Sequence, residues 1–248
     1  MTEFKLRFYG SVLGYAWMLV RPFALFGVLY VVFAEIVELG AGVKNFPAYI
    51  LLSMVLYQFF RGIVDGGLQC LVNRENLLRK MRFPRLVIPT AITLGALFEL
   101  VLTLAAVAIF LFISGVWPSW GWLELVPLLG VLTIFATGLG LLLSVLYVRF
   151  RDISPIWDVV GQMLFYASPV LYVASAVPAA YQHVYMMNPL AVVLTQTRHA
   201  VIDGSAPTAV EAIGGWANML IPAILVAGTF VLGFWAFIRE APNVAEHL

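Results

Sequence analysis

A stretch of thirteen residues, Asn73–Arg85 (NRENLLRKMRFPR), holds five of the fourteen Lys and Arg residues of a chain that is 62% hydrophobic and only 11% charged. The segment ENLLRKMRF can form an amphipathic helix, with leucines and a methionine on one face and basic side chains around the other. Pro84 disfavours helix at Phe83 and begins a turn. Two interpretations are open: anchoring to anionic lipid, worth about 1 kcal/mol per basic residue near a membrane surface, and docking to a soluble partner protein.

Charged side chains also occur inside apolar stretches, where they are costly and indicate a function by default. Arg61 and Asp65 are four residues apart in the second apolar stretch, so a helix brings them together as a pair. Asp158 lies near the start of the fifth such stretch. Structural pairing between helices and a hydrated pathway are both compatible with these positions.

Aromatic residues are dense in the first two apolar stretches. Aromatic faces can stack on sugar rings without trapping them, which suits a cargo that must slide, while helix packing and interface anchoring are the ordinary uses of such residues. The candidates for lining a path are Tyr30, Phe33, Tyr57, Phe59 and Phe60.

Several kinds of chemistry have no support in the sequence. A Gly-rich phosphate loop ending in Lys-Ser or Lys-Thr does not occur, so the chain has no sequence basis for binding ATP. The GLG at 138–140 lies inside an apolar stretch and indicates close helix packing. The three histidines lack metal-ligand spacing, a nucleophile elbow is not found, and basic residues form no nucleic-acid patch beyond the opening stretch. We therefore predict no catalytic residue, no metal site and no cofactor in this chain.

The elements that position these residues are predicted to be membrane helices. The mean hydropathy is +0.97, and a bilayer core about 30 Å thick needs roughly 20 apolar residues in a helix. The sequence predicts an all-α integral membrane protein with one transmembrane domain over 1–248. Its six predicted spans are 20–38, 47–70, 86–115, 122–148, 155–174 and 217–238.

The distribution of basic residues predicts the orientation, because Lys and Arg accumulate in cytoplasmic loops. Two of them, Lys44 and Arg198, fall on one side and eleven on the other, with Arg61 inside a span. Both termini and the stretch Asn73–Arg85 are therefore predicted to be cytoplasmic.

Two segments outside the spans have distinctive patterns. Residues 1–18 show apolar positions at three- and four-residue spacing, which predicts an amphipathic helix at the membrane interface or an inward extension of the first span. Residues 175–216 are interrupted by prolines and glycines. They predict short helices that dip into the outer leaflet, and an aqueous loop is the alternative.

Four stretches together resemble the permease subunit of type-2 ABC transporters, in the branch that exports lipid-linked polysaccharides. The first is SVLGYAWMLVRP, with Ser11, Leu13, Gly14, Trp17 and Pro22. The second is NLLRKMRFPRLVIP, with Asn76, Leu77, Lys80, Phe83, Pro84 and Arg85. The third is RDISPIWDVVGQMLFYASPVLY, with Arg151, Asp152, Gln162, Phe165, Ser168, Pro169 and Tyr172. The fourth is NPLAVVLTQTRHAVIDG, with Asn188, Pro189, Leu190 and Arg198.

This resemblance implies a homodimer of six-span subunits in the cytoplasmic (inner) membrane, with two ATP-binding-cassette subunits that bind ATP and Mg²⁺. It implies an N-terminal interface helix, a cytoplasmic coupling helix at 71–85, and short extracellular re-entrant helices between spans five and six. The cargo would be a lipid-linked glycan of the O-antigen, galactan or teichoic acid type. The residues expected to couple the chain to the ATPase are Glu75, Arg79, Lys80, Arg82, Phe83 and Arg85.

Two other functions share parts of this pattern. A type-2 exporter of a drug or small lipid would have the same spans and docking helix without a wide aromatic channel. A membrane-embedded glycolipid transferase would need an indispensable Asp or His near the interface.

Overall fold

The computed structural model describes residues 16–37, 40, 42–73 and 84–240. These residues form helices joined by turns, with no strand among them, which confirms the all-α prediction. Residues 1–15 of the predicted interfacial helix and residues 74–83 of the predicted coupling helix lie outside the described residues.

The described helices follow one another in the order of the predicted spans. The α-helices are α1 Ala16–Tyr30, α2 Phe46–Gln69, α3 Val87–Ile113, α4 Leu125–Arg149, α5 Ile153–Tyr166, α6 Ala179–Tyr185, α7 Pro189–Thr197, α8 Ala209–Ile213 and α9 Leu220–Glu240. π-Helical turns continue α1 (Val31–Ile36) and α7 (Arg198–Ile202), and 3₁₀ turns precede α4 (Trp120–Glu124) and α6 (Ala174–Ala176).

Within the described ranges, α2, α3, α4 with its 3₁₀ turn, and α9 are long and apolar enough to cross a membrane. They correspond to the predicted spans 47–70, 86–115, 122–148 and 217–238. At 1.5 Å per residue, each of these helices covers about the 30 Å of a bilayer core.

The fifth predicted span is shorter than expected. Hydropathy predicted a span over 155–174, but α5 ends at Tyr166 and turns follow. Pro169 lacks a backbone N–H, and its ring clashes with the carbonyl four residues earlier, so the helix cannot continue through it. The prediction of a helix to residue 174 was therefore wrong at its carboxyl end.

Helix α2 lies at the centre of the fold. In its apolar window 78% of the residues are buried, compared with 22% in α3 and in α9. Its side chains form one core with residues of α3, α4, α5 and α7. This central position brings α2 into contact with every element of the candidate site described below.

Glycines allow α4 to approach two neighbours closely. A Cβ added at Gly67 of α2 would lie 2.9 Å from the Cα of Gly140, and one added at Gly233 of α9 would collide with the Gly138 carbonyl. Lipid gives apolar helices little hydrophobic reason to associate, so close backbone packing contributes more to their association. The predicted packing role of GLG at 138–140 is confirmed.

The segment 175–216 folds as the short helices α6 to α8, near the amino end of α2. Asn188 caps α7 by accepting a hydrogen bond from the Leu190 N–H at 3.0 Å, and Thr208 and Glu211 form a capping box on α8. Helix α7 is largely buried and contacts α4, α9 and α2. We call the end of the bundle where α2 begins the Tyr49 end, and the opposite end the Asp65 end.

Candidate functional site between α2 and α5

A polar stripe runs along the buried face of α2 at four-residue intervals. Its members are Tyr49, Ser53, Tyr57, Arg61 and Asp65. Residues four apart lie one above the other on a helix, so the stripe forms a continuous ridge. This ridge faces α5 and the turn that follows it.

The stripe donates hydrogen bonds mainly to backbone carbonyls of the α5 segment. The Tyr49 hydroxyl contacts the carbonyls of Pro169 and, at 2.9 Å, Tyr172. The Tyr57 hydroxyl donates to the Gly161 carbonyl, and Arg61 Nη1 lies 3.4 Å from the Trp157 carbonyl. As the donors advance along α2 from Tyr49 to Tyr57 and Arg61, the acceptors move back by the same number of residues, from Pro169 to Gly161 and Trp157. We call this antiparallel set of contacts the polar ladder.

The Asp65 end of the ladder is a group of four residues, the Arg61 cluster: Arg61, Asp65, Trp157 and Asp158. Arg61 lies 3.3 Å from the Asp65 carboxylate and 3.4 Å from that of Asp158. The Trp157 indole N–H donates to Asp65 at 2.6 Å, and the Arg61 guanidinium lies 5.2 Å from the Trp157 ring centroid. The predicted Arg61–Asp65 pair is confirmed, and both partners also contact α5. The alternative of a hydrated pathway at these positions stays a prediction.

Gly161 makes room for this arrangement. A Cβ at this position would collide with the Arg61 guanidinium. The absence of a side chain at residue 161 therefore lets Arg61 cross α5 to reach Asp158.

At the Tyr49 end lies a second group, the Arg198 cluster: Lys44, Tyr49, Tyr185, Arg198 and Asp203. The Arg198 guanidinium lies 5.9 Å from the centroid of the Tyr49 ring. Its Nε is buried and has no hydrogen-bond partner among the described residues. The Tyr185 hydroxyl is also buried without a partner in regular hydrogen-bond geometry, and the neighbouring Tyr172 side chain contributes to raising its pKa.

The carboxylate of the Arg198 cluster accepts two hydrogen bonds from a neighbouring serine, both on one oxygen. Asp203 Oδ1 accepts from the Ser205 hydroxyl at 2.6 Å and from the Ser205 N–H at 3.1 Å. The Ser205 hydroxyl is the main reason why the pKa of Asp203 lies below its ordinary value of 3.8, with smaller contributions from Lys44 and Arg198. Burial raises the pKa of Tyr185, so its phenol stays protonated.

The structure places the predicted path residues in two settings. Tyr57, Phe59 and Phe60 are buried inside the subunit, where the Phe60 ring packs between Phe135 and Trp157 at centroid distances of 5.5 and 6.3 Å. Tyr30 and Phe33 are half-buried on α1 and its π turn. These contacts do not test a role in lining a path, which stays a prediction.

Of the predicted ATPase-coupling residues, only Arg85 is described; Glu75, Arg79, Lys80, Arg82 and Phe83 lie outside the described residues. Arg85 is half-buried at the start of α3. Leu71 and Ile88, which flank the segment 74–83, pack in one buried cluster with residues of α4 and α9. The described residues on either side of 74–83 therefore share one apolar anchor at the Asp65 end.

Sequence reasoning missed the polar ladder, although its signal was present. Every fourth residue from 49 to 65 of a largely apolar helix is polar, which is the repeat of a helix ridge. We considered Tyr57 only as an aromatic face and not as a hydroxyl donor. The acceptors are backbone carbonyls of α5, which no side-chain pattern can reveal.

Comparison with known proteins gives a consistent result. The sequence matches the family described as ABC-2 type transporter over residues 1–202. It is similar to the O-antigen export system permease protein RfbA of Klebsiella pneumoniae, at 25% identity over 204 residues that cover 82% of this chain and 78% of the relative.

Two further relatives extend the comparison. The O-antigen export system permease protein RfbA of Myxococcus xanthus is 29% identical over 210 residues, or 84% of this chain and 80% of the relative. The polysialic acid transport protein KpsM of Escherichia coli is 24% identical over 210 residues, or 82% of this chain and 80% of the relative.

Proposed function

The chain belongs to the ABC-2 type transporter family, and from this premise we propose that it is the transmembrane, channel-forming subunit of an ATP-driven exporter. Its cargo is a lipid-linked polysaccharide of the O-antigen, galactan or teichoic acid type, moved outward across the cytoplasmic membrane. The observation that carries the proposal is the match to export permeases of O-antigen and polysialic acid over 82–84% of the chain.

The energy source in this proposal is a separate protein. The sequence lacks a Gly-rich phosphate loop, which is the ordinary means of holding nucleotide phosphates on backbone N–H groups. Two ATP-binding-cassette subunits bind ATP and Mg²⁺ and associate with a homodimer of this chain. The chain itself needs no cofactor and catalyses no reaction.

In the proposed membrane arrangement, α1 with its π turn and α5 join the four long helices to make six spans. Both termini and the Asp65 end then face the cytoplasm, in keeping with Arg85, Arg149, Arg151 and Arg239 at that end. Helices α6 to α8 enter the outer leaflet from outside as re-entrant elements. The buried surface of α7 supports this, since backbone at membrane depth needs cover from protein.

The segment 74–83 is the proposed docking site for the ATPase. Its basic and apolar residues suit an acidic, partly apolar groove on a partner, and its flanks are held by the buried Leu71 and Ile88. A displacement of this segment by the motor would be transmitted directly to α2 and α3. The residues that carry the docking are Glu75, Arg79, Lys80, Arg82, Phe83 and Arg85.

The polar ladder gives this displacement a route to α5. Because Tyr49, Tyr57 and Arg61 bind carbonyls of the α5 segment, α2 and α5 move together when the docking segment is pushed. In this proposal, motion of the α2–α5 pair opens the path for the glycan. Aromatic faces of Tyr30, Phe33, Tyr57, Phe59 and Phe60 then contact its sugar rings.

Glycan export by cells that co-express the chain with its ATPase tests the proposal. We expect Lys80→Glu and Arg82→Glu to abolish export and ATPase association, because each reverses a charge in the docking segment. Arg239→Glu reverses a charge at the same end of the bundle but on α9, and it should keep most of both activities.

Unchanged export and unchanged ATPase association in Lys80→Glu and Arg82→Glu would overturn the docking role. Depletion of the chain should cause lipid-linked glycan to accumulate in the cytoplasm. Altered drug susceptibility without such accumulation would instead favour a drug or small-lipid exporter.

A further inference from the structure

Arg198 and Lys44 are two cationic side chains at the Tyr49 end that form no ion pair within 4.0 Å among the described residues. Both contribute to lowering the pKa of Asp203, so the two cationic groups lie in the field of one carboxylate. Ser205 donates two hydrogen bonds to that carboxylate, both to Oδ1. The half-buried Arg198 guanidinium therefore lacks the direct ion pair that such groups normally have.

Hydrogen-bond donors without acceptors are concentrated at the same end. Of the five buried side-chain polar atoms without a partner in the described ranges, four lie there and one, on Arg85, lies at the other end. The four are Trp122 Nε1, Tyr185 Oη, Thr197 Oγ1 and Arg198 Nε. All four can donate a hydrogen bond, and buried donors are rarely left without an acceptor.

The elements that carry these donors meet around the start of α2. Arg198 opens the π-helical turn after α7, and such turns are frequent at functional sites. The backbone of this turn touches the 3₁₀ turn of Trp122, where a Cβ at Gly121 would lie 2.5 Å from the Ala200 carbonyl. Tyr185 packs on Tyr172, whose carbonyl accepts from Tyr49 below the Arg198 guanidinium.

We propose that the Arg198 cluster binds the phosphate oxyanion of a lipid head group at the Tyr49 end of the bundle. A phosphate supplies a direct ionic partner for Arg198 and several acceptor oxygens for the donors that have none among the described residues. In this site the Arg198 guanidinium binds the oxyanion, and the Tyr185 hydroxyl donates a hydrogen bond to it. Lys44 attracts the anion from the surface. Two lipids offer this chemistry: an ordinary anionic phospholipid, and the phosphate-linked carrier of the cargo. The second identification rests on the proposed function.

The test measures lipid binding to the full chain with its ATPase subunits in nanodiscs of phosphatidylcholine. The probes are phosphatidylglycerol, a short-chain polyprenyl diphosphate and inorganic pyrophosphate. We expect Arg198→Gln to weaken binding of at least one probe about tenfold, the effect of losing a charge-assisted hydrogen bond. Arg198→Lys should recover part of the loss, since the charge returns without the planar fork.

Arg239→Gln is the matched control. Like Arg198, Arg239 lies over an aromatic ring, at 5.3 Å from the Trp235 centroid, but it is at the Asp65 end and away from the four donors. Its removal should leave the affinity unchanged. If Arg198→Gln does not fold, Tyr185→Phe removes only a hydroxyl, and a loss of several-fold in affinity is expected.

The proposal would be overturned if the folded Arg198→Gln and Tyr185→Phe variants bound each of the three probes with the same affinity as the wild type. A loss of affinity confined to phosphatidylglycerol would identify the ligand as a phospholipid. A loss confined to the polyprenyl diphosphate would identify it as the cargo carrier, and a loss shared by all three probes would mean that the site binds any phosphate. Binding is measured without export. Arg198-dependent binding in a chain that exports no glycan would therefore refute the proposed function and retain this site.

Discussion

Arg61 and Arg198 lie near opposite ends of α2, each over an aromatic ring, at 5.2 Å from the Trp157 centroid and 5.9 Å from that of Tyr49. They differ in what surrounds the guanidinium. Arg61 has two carboxylates within 3.4 Å, whereas Arg198 forms no ion pair among the described residues and interacts with Asp203 only at longer range. Direct ion pairs thus match the charge of Arg61 and join two helices, whereas the charge of Arg198 has no such match, and we propose a ligand for it.

The largest expected effect concerns the matched arginine. Arg61→Gln would leave Asp65 without its cation and would remove the bond to Asp158. Because the Asp65 side chain is 42% exposed, solvent reduces the cost, and we expect the free energy of unfolding to fall by about 1–3 kcal/mol. Chemical denaturation in detergent, followed by tryptophan fluorescence, measures this change.

Arg198→Gln is the control for that experiment. It removes a charge that has no described ion-pair partner, so its effect on the free energy of unfolding should be below about 1 kcal/mol. Equal destabilisation by the two substitutions would show that the two arginines do not differ in the way described.

A smaller effect is expected between the two clusters, on the polar ladder itself. Tyr57→Phe keeps the ring, which packs on Phe165 at a centroid distance of 5.1 Å, and removes the hydroxyl that donates to the Gly161 carbonyl. We expect a loss of about 0.5–1.5 kcal/mol and faster amide hydrogen exchange in α5. Tyr181→Phe, at a side chain that is 69% exposed, should change neither, and unaltered exchange in α5 of Tyr57→Phe would argue against the ladder.

The smallest effect concerns the pH dependence of the unmatched cluster. The pKa of Asp203 is lowered, so its contribution to stability is present above its ordinary pKa of 3.8 and is lost as the pH falls through the folded-state pKa. Ser205→Ala removes the main cause, so this contribution shrinks. We expect a loss below about 0.5 kcal/mol near pH 7 that becomes smaller at a pH below 3.8, as Asp203 is protonated.

Denaturation of the Ser205→Ala variant at both pH values measures this difference. Ser119→Ala is a suitable control, because the Ser119 side chain caps no helix. A destabilisation that persists unchanged at the lower pH would mean that Ser205 acts through packing and not through the Asp203 carboxylate.

The parts of this molecule that follow from local patterns could be predicted from sequence. The hydropathy of α2, α3, α4 and α9 identified these helices closely, and four-residue spacing on one helix identified the Arg61–Asp65 pair. The packing role of Gly138 and Gly140 followed from small residues inside an apolar helix.

Contacts between distant parts of the chain could not be predicted in this way. Asp158 reaches Arg61 only because residue 161 is glycine, and the arrangement depends on the register of α5 against α2. Lys44 and Arg198 were assigned to one side of the membrane, but their approach to Asp203 depends on how α7 and its π turn fold back. Pro169 indicates in principle that α5 ends before it, but hydropathy alone placed the end of this span at residue 174.

The acceptors of the polar ladder have a consequence for how this protein can diversify. The α5 segment offers Tyr49, Tyr57 and Arg61 mainly its carbonyl oxygens, which every amino acid possesses. The outward side chains of α5, such as Ile156, Val159 and Met163, are exposed and take no part in the attachment. Substitutions on that outward surface can therefore leave the helix fastened to α2 in the same register.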